Sequence, residues 1–142
     1  MCTLTLAWQT FDDAPVALAA NRDEAMDRPA EPPALRGDDD RFVAPRDAEA
    51  GGTWIGAAAS GVVVAVTNRW LDADRRSDRS RGLLVRDCLQ TGSATETVEA
   101  VERDVASRSY DGFNLVVADA ADAFLLSYDG KLTVTPLDPG VH

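Results

Sequence analysis

The chemistry on offer starts at the second residue. Cys2 follows Met1 and heads a run of β-formers, Thr3-Leu4-Thr5-Leu6. A residue this small permits removal of Met1, which would leave Cys2 as the N-terminus. An α-amine has an ordinary pKa of about 7.7–8.0, against about 10.4 for a lysine, so it can be neutral near physiological pH. One residue then carries both a thiol nucleophile and the base beside it. The alternative reading of the same position is an ordinary buried cysteine in a first strand.

Four other stretches offer polar groups where packing alone would not ask for them. Asn21-Arg22-Asp23-Glu24 directly follows the apolar run 16–20. An arginine among carboxylates can clamp a substrate carboxylate or orient a nucleophile through charge-assisted bonds. Asp23 can hold the α-ammonium of Cys2 and tune its protonation. A solvated turn with a local ion pair, worth about 0–1 kcal/mol, accounts for the same residues. In Gly51-Gly52-Thr53-Trp54-Ile55-Gly56, Gly52 permits close backbone approach and Trp54 can wall a pocket. A bulged strand with a core tryptophan fits that stretch equally. Asn68, in Thr67-Asn68-Arg69 at the end of the run 62–66, can donate its amide to a developing oxyanion. Gly112 and Asn114 open another apolar run and suit a structural role. Cys88 falls on the apolar face of a helical pattern and reads as a small buried hydrophobe.

Composition narrows the functions. The 142 residues suit one domain spanning 1–142. There are 24 acidic and 14 basic residues, for a net charge of -10, and the only lysine is Lys131. Such a chain repels nucleic-acid backbones and anionic membranes. It suits a medium in which salt screens its self-repulsion, so a halophilic source is expected. The two cysteines show no C-x-x-C spacing, and the sole histidine is His142, so neither a disulfide framework nor a metal cluster is expected. No apolar run nears the roughly 20 residues of a membrane span, and no secretory leader is visible. The expectation is a cytoplasmic protein with a small-molecule substrate or ligand. Asp38-Asp39-Asp40 reads as a solvated face, without a calcium-loop pattern.

The elements that must position these groups follow from periodicity and breakers. Strands are predicted over 3–8 and 16–21, joined as a hairpin. Residues 25–50, with Pro29, Pro32, Pro33 and Pro45, read as a long surface loop. Strands follow over 53–57 and 62–67, the second apolar on both faces and therefore central. A charged loop over 71–81 leads to helices over 82–92 and from 94 to about 107, the second opened by the capping-box spacing Ser93…Glu96. Strands over 114–119, 123–129 and 131–136 end the pattern, with Asp129-Gly130 as a tight turn and no closing element after it. Strands, two helices, then strands argue for an α+β or layered sandwich fold and against a βαβ repeat.

Taken together, the stretches MC at 1–2, LAANRDE at 18–24, RP at 28–29, GGTWIG at 51–56, VTN at 66–68, RG at 81–82 and YDGFNLVVAD at 110–119 resemble the NRDE family, also called the transport and Golgi organisation family. The resemblance implies an N-terminal nucleophile fold, a four-layer αββα sandwich. It implies Cys2 as nucleophile with Arg22, Asp23 and Asn68 as catalytic partners. It implies Asn21, Glu24, Gly52, Trp54 and Arg69 around the substrate, and acyl transfer from a linear amide or thioester without a cofactor. Members are nearly twice this long, so the chain corresponds to an N-terminal half, and pairing with the missing half or with a second copy is expected. The alternative is a non-enzymatic carrier of haem or an acyl-coenzyme A. Haem would need an axial ligand from Cys2, Cys88, Met26 or His142.

Overall fold

The structure, a computed structural model, describes residues 2–70 and 77–142. Most of the predicted charged loop 71–81 lies outside the described residues. These form ten strands and two helices, with every strand pairing antiparallel.

Strands β1 (Thr3–Phe11) and β2 (Ala14–Asn21) form the predicted hairpin, longer than the sequence pattern suggested. Its register sets Leu6 against Leu18 and Thr3 against Asn21. Alternation along β1 turns Leu4, Leu6 and Trp8 inward and leaves Thr3 and Thr5 exposed. The register shifts between Trp8 and Phe11, where Gln9 sits at φ 50°. This bulge is tied down by the Trp8 indole, whose Nε1 donates to the Asp119 carbonyl at 2.9 Å.

The segment 25–50 is the first correction. It contains two paired strands, β3 (Ala30–Arg36) and β4 (Phe42–Asp47), and not a long loop. The prolines hid them. Pro32 and Pro33 lie on β3, at the edge of its sheet, where the register with β4 shifts between Glu31 and Ala34 and neither proline is paired, so no ladder bond is lost. Strands β5 (Ile55–Ala58), β6 (Val63–Asn68), β7 (Phe113–Ala118), β8 (Ala123–Tyr128) and β9 (Leu132–Pro136) complete a seven-stranded sheet in the order β3-β4-β5-β6-β7-β8-β9. β6 lies at its centre, as its two-faced apolar pattern required. The second correction concerns the last residues. Gly140–Val141 forms β10, which pairs with β1 at Ala7 and Trp8 and makes a three-stranded sheet, β10-β1-β2.

Helix α1 (Arg81–Cys88) and helix α2 (Ala94–Val105) cover one face of the large sheet. Ser80 caps α1, its hydroxyl accepting from the Gly82 N–H at 3.1 Å. Ser93 caps α2 by accepting from the Glu96 N–H, while the Glu96 carboxylate accepts from the Gly92 N–H at 2.9 Å. Leu84, Val85, Val98 and Val101 pack there against Val64, Leu115 and Val117. The other face of β7 and β8 turns Val116, Ala118 and Ala123 against Leu6 and Trp8 of the small sheet. The described residues thus form three layers, helix on sheet on sheet. A second helical layer is not among them, and Thr3, Thr5 and Ala19 on the outer face of the small sheet are exposed.

Candidate functional site

The hairpin register brings the start of β1 beside the end of β2. Cys2 therefore lies against the segment that follows Asn21. Its Sγ is 3.4 Å from the donating Asp23 backbone N–H and 3.9 Å from the Asp23 carbonyl. The end of β6, with Thr67 and Asn68, reaches the same point from the large sheet. Between them opens a cleft of about 400 Å³. Cys2, Asn21, Arg22, Asp23, Glu24, Trp54 and Asn68 all line it.

Arg22 is fixed from two sides. Its guanidinium carbon lies 4.2 Å from the Trp54 ring centroid, a cation–π contact, and its Nη2 lies 3.7 Å from Asp47. Asp47 also accepts from Arg28 Nε at 2.8 Å and from the backbone N–H groups of Glu49 and Ala50. Burial pushes the Asp47 carboxyl up, but the Ala50 N–H, the Arg28 guanidinium and the Glu49 N–H outweigh it and hold the group below its ordinary value. Asp47 was not singled out by sequence reasoning, because no motif contains it; only the fold of β4 delivers it. Arg28, which Asp47 holds, sits in the RP pair.

The wall opposite is the start of α1. Gly52 is buried, and a Cβ there would lie 2.2 Å from the Gly82 carbonyl carbon. Thr53 N–H donates to the Gly82 carbonyl at 3.0 Å, and Arg81 donates to the Gly112 carbonyl at 2.9 Å. Arg79 joins Asp87 of α1 and, at 3.2 Å, the Tyr110 hydroxyl, which in turn donates to Asp104 of α2. Arg79 and Arg81 both line the cleft and were likewise not singled out. Arg81 belongs to the RG pair, whose spatial role no local pattern reveals.

The predicted residues divide as follows. Asn68 is exposed at the cleft, and its amide makes no hydrogen bond with the described residues, so it is available to a ligand. Asn21 lines the cleft, but its Oδ1 accepts from the Thr3 N–H at 2.7 Å and so serves the hairpin. Glu24 is exposed, and its carboxylate accepts from the next N–H, that of Ala25. Gly52 holds the wall from behind. Arg69 turns away to Asp129 at 3.2 Å and does not line the cleft. Of the haem-ligand candidates, Cys88 is sealed in the core, Met26 is fully exposed, and His142 shares its Nε2 with the Asp138 carbonyl.

The profile of the Transport and Golgi organisation 2 family matches residues 1–142. The bovine (Bos taurus) Transport and Golgi organization protein 2 homolog is 35% identical over 120 residues, covering 77% of this chain and 43% of that protein. The human (Homo sapiens) homolog is 32% identical over 124 residues, covering 80% of this chain and 44% of its own. The chain spans less than half the length of the curated relatives it matches. Among solved structures, penicillin V acylase from Agrobacterium tumefaciens superposes with a TM-score of 0.50 at 18% identity, over 75% of this chain and 40% of that one. That likeness speaks to the fold alone. No helix of the described residues is long and apolar enough to cross a membrane. With a family profile matched from end to end and these relatives, the chain belongs to the Transport and Golgi organisation 2 family.

Proposed function

We propose that residues 1–142 act as one domain that performs acyl transfer on a linear amide or thioester of a small molecule, with Cys2 as nucleophile. The observation that carries this reading is the placing of the Cys2 thiol at a cleft it shares with Arg22, Asp23 and Asn68. Loss of Met1 frees the Cys2 α-amine. The neutral amine takes the thiol proton as Sγ bonds to the substrate carbonyl carbon. The oxyanion that forms accepts from the Asn68 amide. Collapse breaks the bond to the leaving amine or thiol, which takes the proton back from the α-ammonium. Water then repeats the sequence, releasing the acid and restoring the thiol. Arg22, pinned between Trp54 and Asp47, orients the amine and the substrate at little entropic cost.

Intact mass is the first test. Loss of one methionine from the isolated protein supports the mechanism, whereas full retention of Met1 rules it out. The second is a thioester probe that leaves its acyl group on the attacking thiol. Labelling of the protein and its loss in Cys2→Ala is the expected pair of results; labelling that survives the substitution would contradict the assignment.

A further inference from the structure

Cys2 borders a second opening besides the charged cleft. This groove, of about 340 Å³, runs between the two sheets. Its walls are Leu4 and Leu6 of β1, Val116 of β7, Leu125 of β8 and Leu137, with Cys2 at the end. Thr67 and Cys2 line both openings, so the two spaces meet at the thiol. Their chemistry is opposite. The cleft is walled by Arg22, Arg28, Arg79 and Arg81 together with Asp23 and Asp47. In the groove two of the polar groups are already engaged. The Asn114 Oδ1 accepts from the Ser127 hydroxyl at 2.9 Å, and the His142 ring is held by the Asp138 carbonyl.

An acyl carbon under attack carries two substituents, the acyl tail and the leaving group, and they point apart. A charged or hydrogen-bonding group placed between the sheets would lose water and find few partners, whereas methylenes would gain by leaving water. We infer that the inter-sheet groove is the acyl-chain subsite, that it takes an aliphatic tail, and that the polar leaving group lies in the arginine-walled cleft. This rests on the acyl-transfer reading. It adds the class of substrate: an amphiphile whose scissile carbonyl joins an aliphatic chain to a polar head.

The test uses p-nitrophenyl esters from acetate to dodecanoate, reading the burst of p-nitrophenolate and the mass added to Cys2. The thiol takes the acyl group as the ester C–O bond breaks, and the thiol proton passes to the α-amine. The acylation rate at low ester concentration is expected to rise about fourfold per methylene over the first few carbons, the factor that burial of a methylene group supplies. Leu125→Phe and, independently, Leu137→Trp fill the groove and should each lower the decanoyl-to-acetyl rate ratio by about tenfold or more, equivalent to losing roughly two methylenes or more. A flat chain-length profile with Cys2 still acylated overturns the groove and leaves the nucleophile standing. Should no ester of any length acylate Cys2, displacement of bound anilinonaphthalene sulfonate by decanoate, weakened in Leu125→Phe, supports the groove without the chemistry. Absence of that displacement overturns it.

Discussion

Two thiols in one chain occupy opposite settings. Burial, with the charges of Asp87 and Asp104 adding to it, pushes the Cys88 thiol up to about 12, and the core seals it. Cys2 is half-buried where the cleft and groove meet. At mildly alkaline pH iodoacetamide should therefore add one group to the wild type and none to Cys2→Ala, read by intact mass; a second adduct on the native protein would contradict the sealed core. Asp47 is the other decisive residue. Its folded pKa lies below the unfolded value, so its contribution is present above the unfolded pKa, near about 3.9, and fades as pH falls through the folded one. Asp47→Asn should lower stability at neutral pH by about 1–3 kcal/mol, because it leaves Arg28 and Arg22 without their shared carboxylate. It should also soften the acid limb of the stability profile. Denaturant titrations at several pH values check both; an unchanged acid limb would show that Asp47 is not the linked group.

At the scale of elements, the site depends on how closely the Gly52 backbone meets the start of α1. Gly52→Ala would press its methyl group onto Gly82 backbone atoms that cannot rotate away. A loss of about 1–3 kcal/mol is expected, together with weakened acylation of Cys2, since the wall of the cleft must shift. Thermal melts and the ester burst read the two effects separately. Ser80→Ala removes only the cap of α1 and should cost about 1 kcal/mol. Helix positions were legible from the sequence because caps and periodicity are local. Strands β3 and β4 were not, because the prolines that mark loops also mark edge strands, and only pairing tells them apart.

Over the whole molecule, the net charge of -10 sets self-repulsion against folding. Exposed pairs such as Arg46–Glu31 and Arg103–Glu99 contribute little each, so salt should remove more repulsion than attraction. The denaturation midpoint is expected to rise from dilute buffer to molar KCl, measured with urea so that the denaturant adds no ions. Equal midpoints would argue against a halophilic adaptation. The same scale explains the site: the cleft and the groove exist only because the small sheet packs on β7 and β8, through Leu6 and Trp8 against Val116, Ala118 and Ala123.

By itself the sequence determined the family, the nucleophile candidate, the two helices and most strands, since these rest on local spacing and on motifs such as NRDE and GGTW. It placed Cys2, Arg22, Asp23, Trp54 and Asn68 among the candidates, and the fold gathers them at one cleft. Only the tertiary structure decided that Asp47 anchors Arg22 and Arg28, that Arg69 faces away, that Gly140–Val141 pairs with β1, and that an apolar groove reaches the thiol. Those are contacts between residues far apart along the chain. Their energies come from packing and pairing across sheets, and no local pattern of residue types encodes which partner each will meet.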